Sequence, residues 1–158
     1  MGINTFVGLE HRLEYVDTVG DNIFYNDSKA TNPHSTINAV IKLKQYDNIT
    51  LLLGGQDKDF DFNRLIEKLP SNVHNIVCFG KCRKKIFKCI KDKTKAYLQT
   101  DLKSAVVLAN QITKNGVILL SPACASFDEF KGYAERGKYF KNIVSALKQS
   151  TNLKEIVC

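Results

Sequence analysis

Lys29 and Lys58 each stand in a short polar loop directly after an apolar run, and a third such loop carries Ser121 and Ser126. The first reads Asn26-Asp27-Ser28-Lys29-Ala30-Thr31-Asn32 and the second Gly54-Gly55-Gln56-Asp57-Lys58. The third is Ser121-Pro122-Ala123-Cys124-Ala125-Ser126-Phe127-Asp128. Lysine ammonium groups are point charges suited to a carboxylate or phosphate, and the Thr31, Ser121 and Ser126 hydroxyls would orient such a group. Free amides at the starts of the following helices would add positive potential. Together these loops describe a site for a small anion. A blander reading stands beside this one. Asp27, Ser28, Thr31 and Asn32 are residues that cap helices and form turns, and paired glycines after a strand often only let the chain turn. What favours a site is three polar loops at the place where open α/β sheets hold ligands, beyond the carboxyl ends of the strands.

The elements that would carry these loops show in the hydropathy rhythm. Ile23 to Tyr25, Ile49 to Leu53, Asn75 to Phe79 and Val117 to Leu120 are short and apolar, with longer amphipathic stretches between them. That alternation predicts βα units on a mainly parallel sheet. Leu13 to Val19 and Ile23 to Tyr25 flank Gly20-Asp21-Asn22, which predicts an antiparallel hairpin at the edge. Apolar residues three and four apart predict helices over about 34–44, 62–69, 82–91, 101–113 and 133–148. Thr100 or Asp101 would cap the fourth, and Gly116 reads as its stop signal. The expected fold class is α/β: Rossmann-like, a mainly parallel sheet with helices on both faces and an edge hairpin.

At 158 residues and 44% hydrophobic content, the chain has the size of one domain with its own core, expected to span 1–158. No apolar run is long enough to cross a membrane and no secretory leader is visible, so a cytoplasmic location is expected. Cys78, Cys82, Cys89, Cys124 and Cys158 are odd in number, which suits free thiols in a reducing compartment. His74, Cys78, Cys82 and Cys89 lack the paired short spacings of a zinc site, and no metal is expected. The net charge of +7 is local. Lys81, Arg83, Lys84, Lys85, Lys88, Lys91, Lys93 and Lys95 stand against Asp92 alone, which accounts for all of it. Cys82, Ile86, Phe87 and Ile90 recur there at helical spacing, so an amphipathic helix with a solvated lysine face is expected rather than a nucleic-acid surface. Ser126 lacks the Gly-x-Ser-x-Gly elbow, and His11, His34 and His74 show no motif pairing with it, which argues against a serine hydrolase. The second loop lacks the glycine spacing and the Ser/Thr after lysine of a phosphate loop.

Four stretches in order carry a family resemblance. They are Phe6-Val7-Gly8-Leu9-Glu10-His11-Arg12, the loop 26–32, Leu53 to Lys58, and Leu120 to Phe130 followed by Arg136-Gly137. In content, order and spacing, over about Phe6 to Leu147, they resemble the C-terminal domain of the D-glutamate-adding Mur ligases. The resemblance implies a three-domain, ATP- and magnesium-dependent enzyme of peptidoglycan precursor synthesis that joins D-glutamate to UDP-N-acetylmuramoyl-L-alanine through an acyl phosphate. It implies that this domain binds D-glutamate and closes on the other two. It places no catalytic residue and no cofactor in this domain, which is expected to be inactive by itself.

Carried over by motif, Thr31 and Lys58 would hold the α-carboxylate of D-glutamate, and Ser126 with the backbone at Phe127 the γ-carboxylate. Arg12 would approach the ATP phosphates and Asp27 the nucleotide ribose, with Lys29 near the same cleft. Tyr133 stands where the family usually has a phenylalanine against the glutamate, and Gln56-Asp57 replaces a small or glycine-containing pair. The alternatives are a domain of another Mur or folylpolyglutamate-type ligase, and a stand-alone binding module that uses its basic helix.

Overall fold

Leu51, Leu52 and Leu53 are all fully buried, yet they belong to two different cores, and that division defines the architecture. Successive side chains of a strand point to opposite faces, so a strand apolar at every position is a strand covered on both sides. The computed structural model describes residues 9–157. It contains strands β1 (Glu14–Val19), β2 (Asn22–Asn26), β3 (Ile49–Gly54), β4 (Val73–Phe79), β5 (Ala96–Leu98) and β6 (Val117–Leu120). The helices are α1 (Pro33–Lys42), α2 (Phe62–Lys68), α3 (Arg83–Cys89), α4 (Leu102–Ile112) and α5 (Tyr133–Val157), with a 3₁₀ turn at Lys93–Lys95.

The strands form one sheet in the order β1-β2-β6-β3-β4-β5. Every neighbouring pair is parallel except the β1–β2 hairpin, which turns at Gly20 and Asp21. One core gathers Ile49, Leu51, Leu53, Ile76, Cys78, Val117 and Leu119 under α1, α2 and α3. The other gathers Leu52, Val77, Phe79, Ile118 and Leu120 under α4 and α5. This split follows from handedness. The chain steps one way along the sheet through α1, α2 and α3 and returns through α4, and right-handed crossovers put opposite steps on opposite faces. No helix among the described residues is long and apolar enough to cross a membrane.

The expected α/β sheet, hairpin and helices on both faces are thus present, with three departures. β5 was not visible in the sequence; it adds a short edge strand paired with Ile76 to Cys78 of β4. The last helix continues past 148 to Val157. Gly116 is not the stop of α4, which already ends at Ile112 with Thr113 as its cap. Instead, a Cβ at Gly116 would lie 2.7 Å from the Asn48 carbonyl oxygen, so glycine there permits the approach of two loops. Asp101 caps α4, in a reciprocal pair with Ser104, and Asn32 caps α1 ahead of Pro33. The Phe6-Val7-Gly8 part of the first motif, and Cys158, lie outside the described residues.

Candidate functional site

β6 lies between β2 and β3, so its carboxyl-end loop lies between theirs, and the three polar loops meet. The helix after β2 and the helix after β6 leave to opposite faces of the sheet, which opens a crevice where the connections diverge. Backbone hydrogen bonds tie the third loop to both others. The Ala123 N–H donates to the Ala30 carbonyl at 3.0 Å, the Gly54 N–H to Pro122 at 3.0 Å, and the Gln56 N–H to Ala125 at 2.8 Å. Gly55 makes the last contact possible. At φ +134° with a would-be Cβ 2.3 Å from the Ala125 oxygen, no other residue fits.

Two of the polar residues hold the loops rather than face outward. Asp27 is buried, and its carboxylate accepts from the Leu13 N–H at 3.0 Å and from the Ser121 hydroxyl at 2.7 Å. Burial pushes its pKa up, against those two hydrogen bonds. Ser121, expected as an anion-orienting hydroxyl, is fully buried and committed to Asp27; Thr36 in turn donates to its carbonyl at 3.0 Å. A hydroxyl engaged in this way is not free to bind a ligand.

Ser126 differs from both. It is buried, and its Oγ has no hydrogen-bond partner among the described residues. Burying a hydroxyl without a partner costs about 1–3 kcal/mol, so such an atom calls for an explanation, and a ligand is one. The adjacent Phe127 is exposed, and its N–H has no acceptor among the described residues. Thr31 is half-buried and Lys58 exposed, and among the described residues neither side chain has a hydrogen-bond or ion-pair partner. Tyr133, the first residue of α5, is partly exposed. Lys29 Nζ lies 5.3 Å from its ring centroid, and the His11 ring meets it edge-on at 6.0 Å. Arg12 is exposed beside Asp27 at the rim.

Beneath these groups is a residue to which no role was given from sequence. Arg136 of α5 is 1% exposed. Its Nε donates to Ser28 Oγ at 2.9 Å, Nη2 to the Ser28 carbonyl at 2.6 Å and Nη1 to the Cys124 carbonyl at 2.9 Å. Ser28 Oγ in turn donates to the Tyr133 carbonyl at 2.8 Å. The guanidinium therefore locks the first loop, the third loop and the start of α5 together. It forms no salt bridge among the described residues, and burial pulls its pKa down to about 10. Asp128 and Glu129 lie near enough to act on the guanidinium without touching it, so the positive charge among the loops is offset only in part. The signal for it was present: Arg136 shares the apolar stripe of α5 with Phe140, Ile143 and Val144, and a charge on an apolar face is unusual.

His11 completes the frame. It sits at φ +67°, buried, with Nδ1 2.9 Å from Asn26 Nδ2, and burial lowers its pKa. Glu10 Oε1 lies 3.0 Å from Nε2 but outside hydrogen-bond alignment. Its imidazole packs where a Cβ at Gly137 would stand, 2.1 Å from Nδ1, which explains glycine after Arg136.

The described residues thus form an α/β domain whose cations and hydroxyls gather in a crevice at the carboxyl edge of its sheet. The sequence matches the Mur ligase, glutamate ligase domain family over residues 11–124, and the chain belongs to that family. It is 43% identical over 150 residues to the UDP-N-acetylmuramoylalanine--D-glutamate ligase of Francisella tularensis subsp. tularensis (strain WY96-3418). That alignment covers 94% of this chain and 36% of the relative, so the chain spans about a third of the length of the curated relatives it matches. The fold is shared with the bifunctional folylpolyglutamate synthase/dihydrofolate synthase of Yersinia pestis CO92, at TM-score 0.62 and 17% identity over 90% of this chain and 32% of that one. A structure of a bifunctional synthase of the same name, with Mn, AMPPNP and L-glutamate bound, superposes at TM-score 0.60 with 17% identity, covering 89% of this chain and 32% of that chain.

Proposed function

We propose that this chain is the glutamate-binding domain of a ligase that adds D-glutamate to UDP-N-acetylmuramoyl-L-alanine. The observation that carries the reading is the unpartnered, buried Ser126 hydroxyl in a loop tied to the buried Arg136 guanidinium. In this reading Ser126 Oγ and the Phe127 N–H hold the γ-carboxylate, Thr31 and Lys58 hold the α-carboxylate, and the Tyr133 ring covers the carbon chain. Two carboxylates fixed at two ends leave the amine with one direction to face, and positioning of that kind is worth several orders of magnitude in rate.

The residues here bind and orient; they do not hold the nucleotide chemistry. In such a ligase ATP and Mg²⁺ would be held by the other domains, and this sequence has no phosphate loop. ATP would supply activation of the acceptor carboxylate as an acyl phosphate. Arg12 and Lys29, at the rim, would meet phosphates as the domains close, and closure would exclude water from the anhydride. Asp27 serves chiefly to fix the first loop, with only a small exposed edge left for a ribose hydroxyl.

The test is a titration of the chain with D-glutamate and with L-glutamate, followed by backbone amide shifts in NMR. Stereoselective shifts at Thr31, Lys58 and Ser126, growing at millimolar ligand, are expected. Equal responses to the two enantiomers, or shifts confined to other loops, would overturn the assignment.

A further inference from the structure

Two thiols that glutamate binding does not use face each other under the third loop. Cys82 lies just before α3, its N–H donating to the Gly55 carbonyl at 3.1 Å. Cys124 stands two residues before Ser126. Both side chains are buried, and their Sγ atoms are 3.4 Å apart. A disulfide has an S–S bond of about 2 Å, so the sulfurs need approach by little more than an ångström. The two are not equivalent. An open cavity of about 270 Å³, lined by Gln56, Asp57, Lys81, Cys82 and Lys85, reaches Cys82. Cys124 sits behind it, against Gly55, where a Cβ would be 3.2 Å from its own. Cys82 borders that cavity and Cys124 lies behind it, the order of an attacking and a resolving thiol.

We propose that Cys82 and Cys124 form an oxidative modification site for a small peroxide, which joins α3 reversibly to the loop that carries Ser126. The Cys82 thiolate attacks one oxygen of hydrogen peroxide; the O–O bond breaks, and the leaving hydroxide takes a proton to become water. Cys82 is then a sulfenic acid. The Cys124 sulfur gives up its proton and attacks the Cys82 sulfur, the S–S bond forms, and the S–O bond breaks to release a second water. Two thiols are oxidised and one peroxide is reduced to two waters, and an external dithiol reverses the step. The contact between the two thiols holds Cys82 below its ordinary range despite burial and the nearby Asp57, and the same contact together with burial raises Cys124, so Cys82 ionises first and Cys124 gives up its proton only in the second step. The remaining described thiols are placed differently. Cys78 is fully buried, its pKa pushed up to about 12 by burial, and Cys89, at the carboxyl end of α3, donates to the Lys85 carbonyl at 3.3 Å.

The modification stands independently of the glutamate assignment; only its effect on Ser126 rests on that reading. The reduced chain is exposed to hydrogen peroxide, free thiols are alkylated, and the product is weighed intact and mapped as non-reduced peptides. A loss of two hydrogens is expected, with one cross-linked peptide pairing Cys82 and Cys124 that disappears on dithiothreitol treatment. Cys89→Ser should keep the cross-link and Cys124→Ser should lose it. Wild-type chain in which both sulfurs stay reduced, pair with other cysteines, or stop at a Cys82 sulfinic acid overturns the proposal without touching the titration above. Where D-glutamate shifts the wild-type Ser126 amide, the oxidised chain should show that shift reduced, because the disulfide fixes the loop at Cys124.

Discussion

A buried hydroxyl that hydrogen-bonds to nothing weakens the fold that contains it, and this gives Ser126 an unusual signature. Ser126→Ala removes an unpartnered oxygen from a 2% exposed site, so stability should rise, or at worst stay level, by roughly 1 kcal/mol in chemical denaturation. The same substitution should abolish the D-glutamate response of the third loop. Gain of stability with loss of binding separates a ligand group from a structural one; a clear loss of stability would mean that the hydroxyl has an internal partner. Arg136 is the opposite case. Its three hydrogen bonds go to backbone and hydroxyl oxygens that have no water to turn to, so its removal would damage fold and site together.

At the scale of elements, periodicity in the sequence located α1, α2 and α4 because their apolar positions alternate with polar ones at helical spacing, and located β6, which is wholly apolar, and β3, which is apolar but for Thr50 up to its closing glycine. β5 escaped because three residues beside a lysine-rich segment carry no alternation to read. α5 ran on because residues 149–157 hold no glycine or proline to stop it, although its last turns bury little and leave Leu153 and Ile156 exposed. The basic segment is largely the solvated face expected of α3, though Arg83 donates to the Gly80 carbonyl and Lys93 lies over the Phe87 ring. Lys85 pairs with Asp57, the residue before Lys58, and also lies 5.4 Å from the Phe62 ring centroid. An acid beside a carboxylate site is tolerable while a cation offsets it. Lys85→Ala should therefore weaken D-glutamate shifts at Lys58, and adding Asp57→Asn should restore them; a double variant no better than the single would show that Lys85 acts through packing alone.

The start of α4 yields a pH-dependent expectation. Glu129 accepts from the Leu102 N–H at 3.2 Å, and burial, reinforced by Asp128 and Asp101, raises its pKa to about 6. A carboxyl whose folded pKa exceeds the unfolded value of 4.5 favours the folded state when protonated, so its contribution is present at low pH and is lost as pH rises through about 6. Glu129→Gln, which keeps an acceptor for Leu102, should thus be more stable than the wild type above about pH 6 and indistinguishable below about pH 4.5. Melting curves across that interval decide it. A constant difference at every pH would assign the effect to something other than the charge.

For the whole molecule, the decisive fact is where the last strand goes. The polar loops after each apolar run were readable one by one, but their meeting depends on β6 inserting between β2 and β3, a long-range pairing that local patterns do not encode. The same holds for the Arg136 tie and for Cys82 against Cys124, which join residues 108 and 42 positions apart. Gly55 tests this assembly directly, since a Cβ there would meet Ala125, Cys124 and Arg136 at once. Gly55→Ala adds a methyl 2.3 Å from the Ala125 oxygen at a φ of +134°, and either the second or the third loop must move. A loss on the order of 2–3 kcal/mol is expected, with amide shifts spreading through both loops. Gly132→Ala, just before α5, meets nothing within 4 Å and has no positive φ, so it should be neutral or gain a few tenths of a kcal/mol. If the Gly55 variant were as stable as the Gly132 one, with shifts confined to its own loop, the three loops would be separate structures that happen to adjoin, and a ligand site assembled from all three would lose its basis.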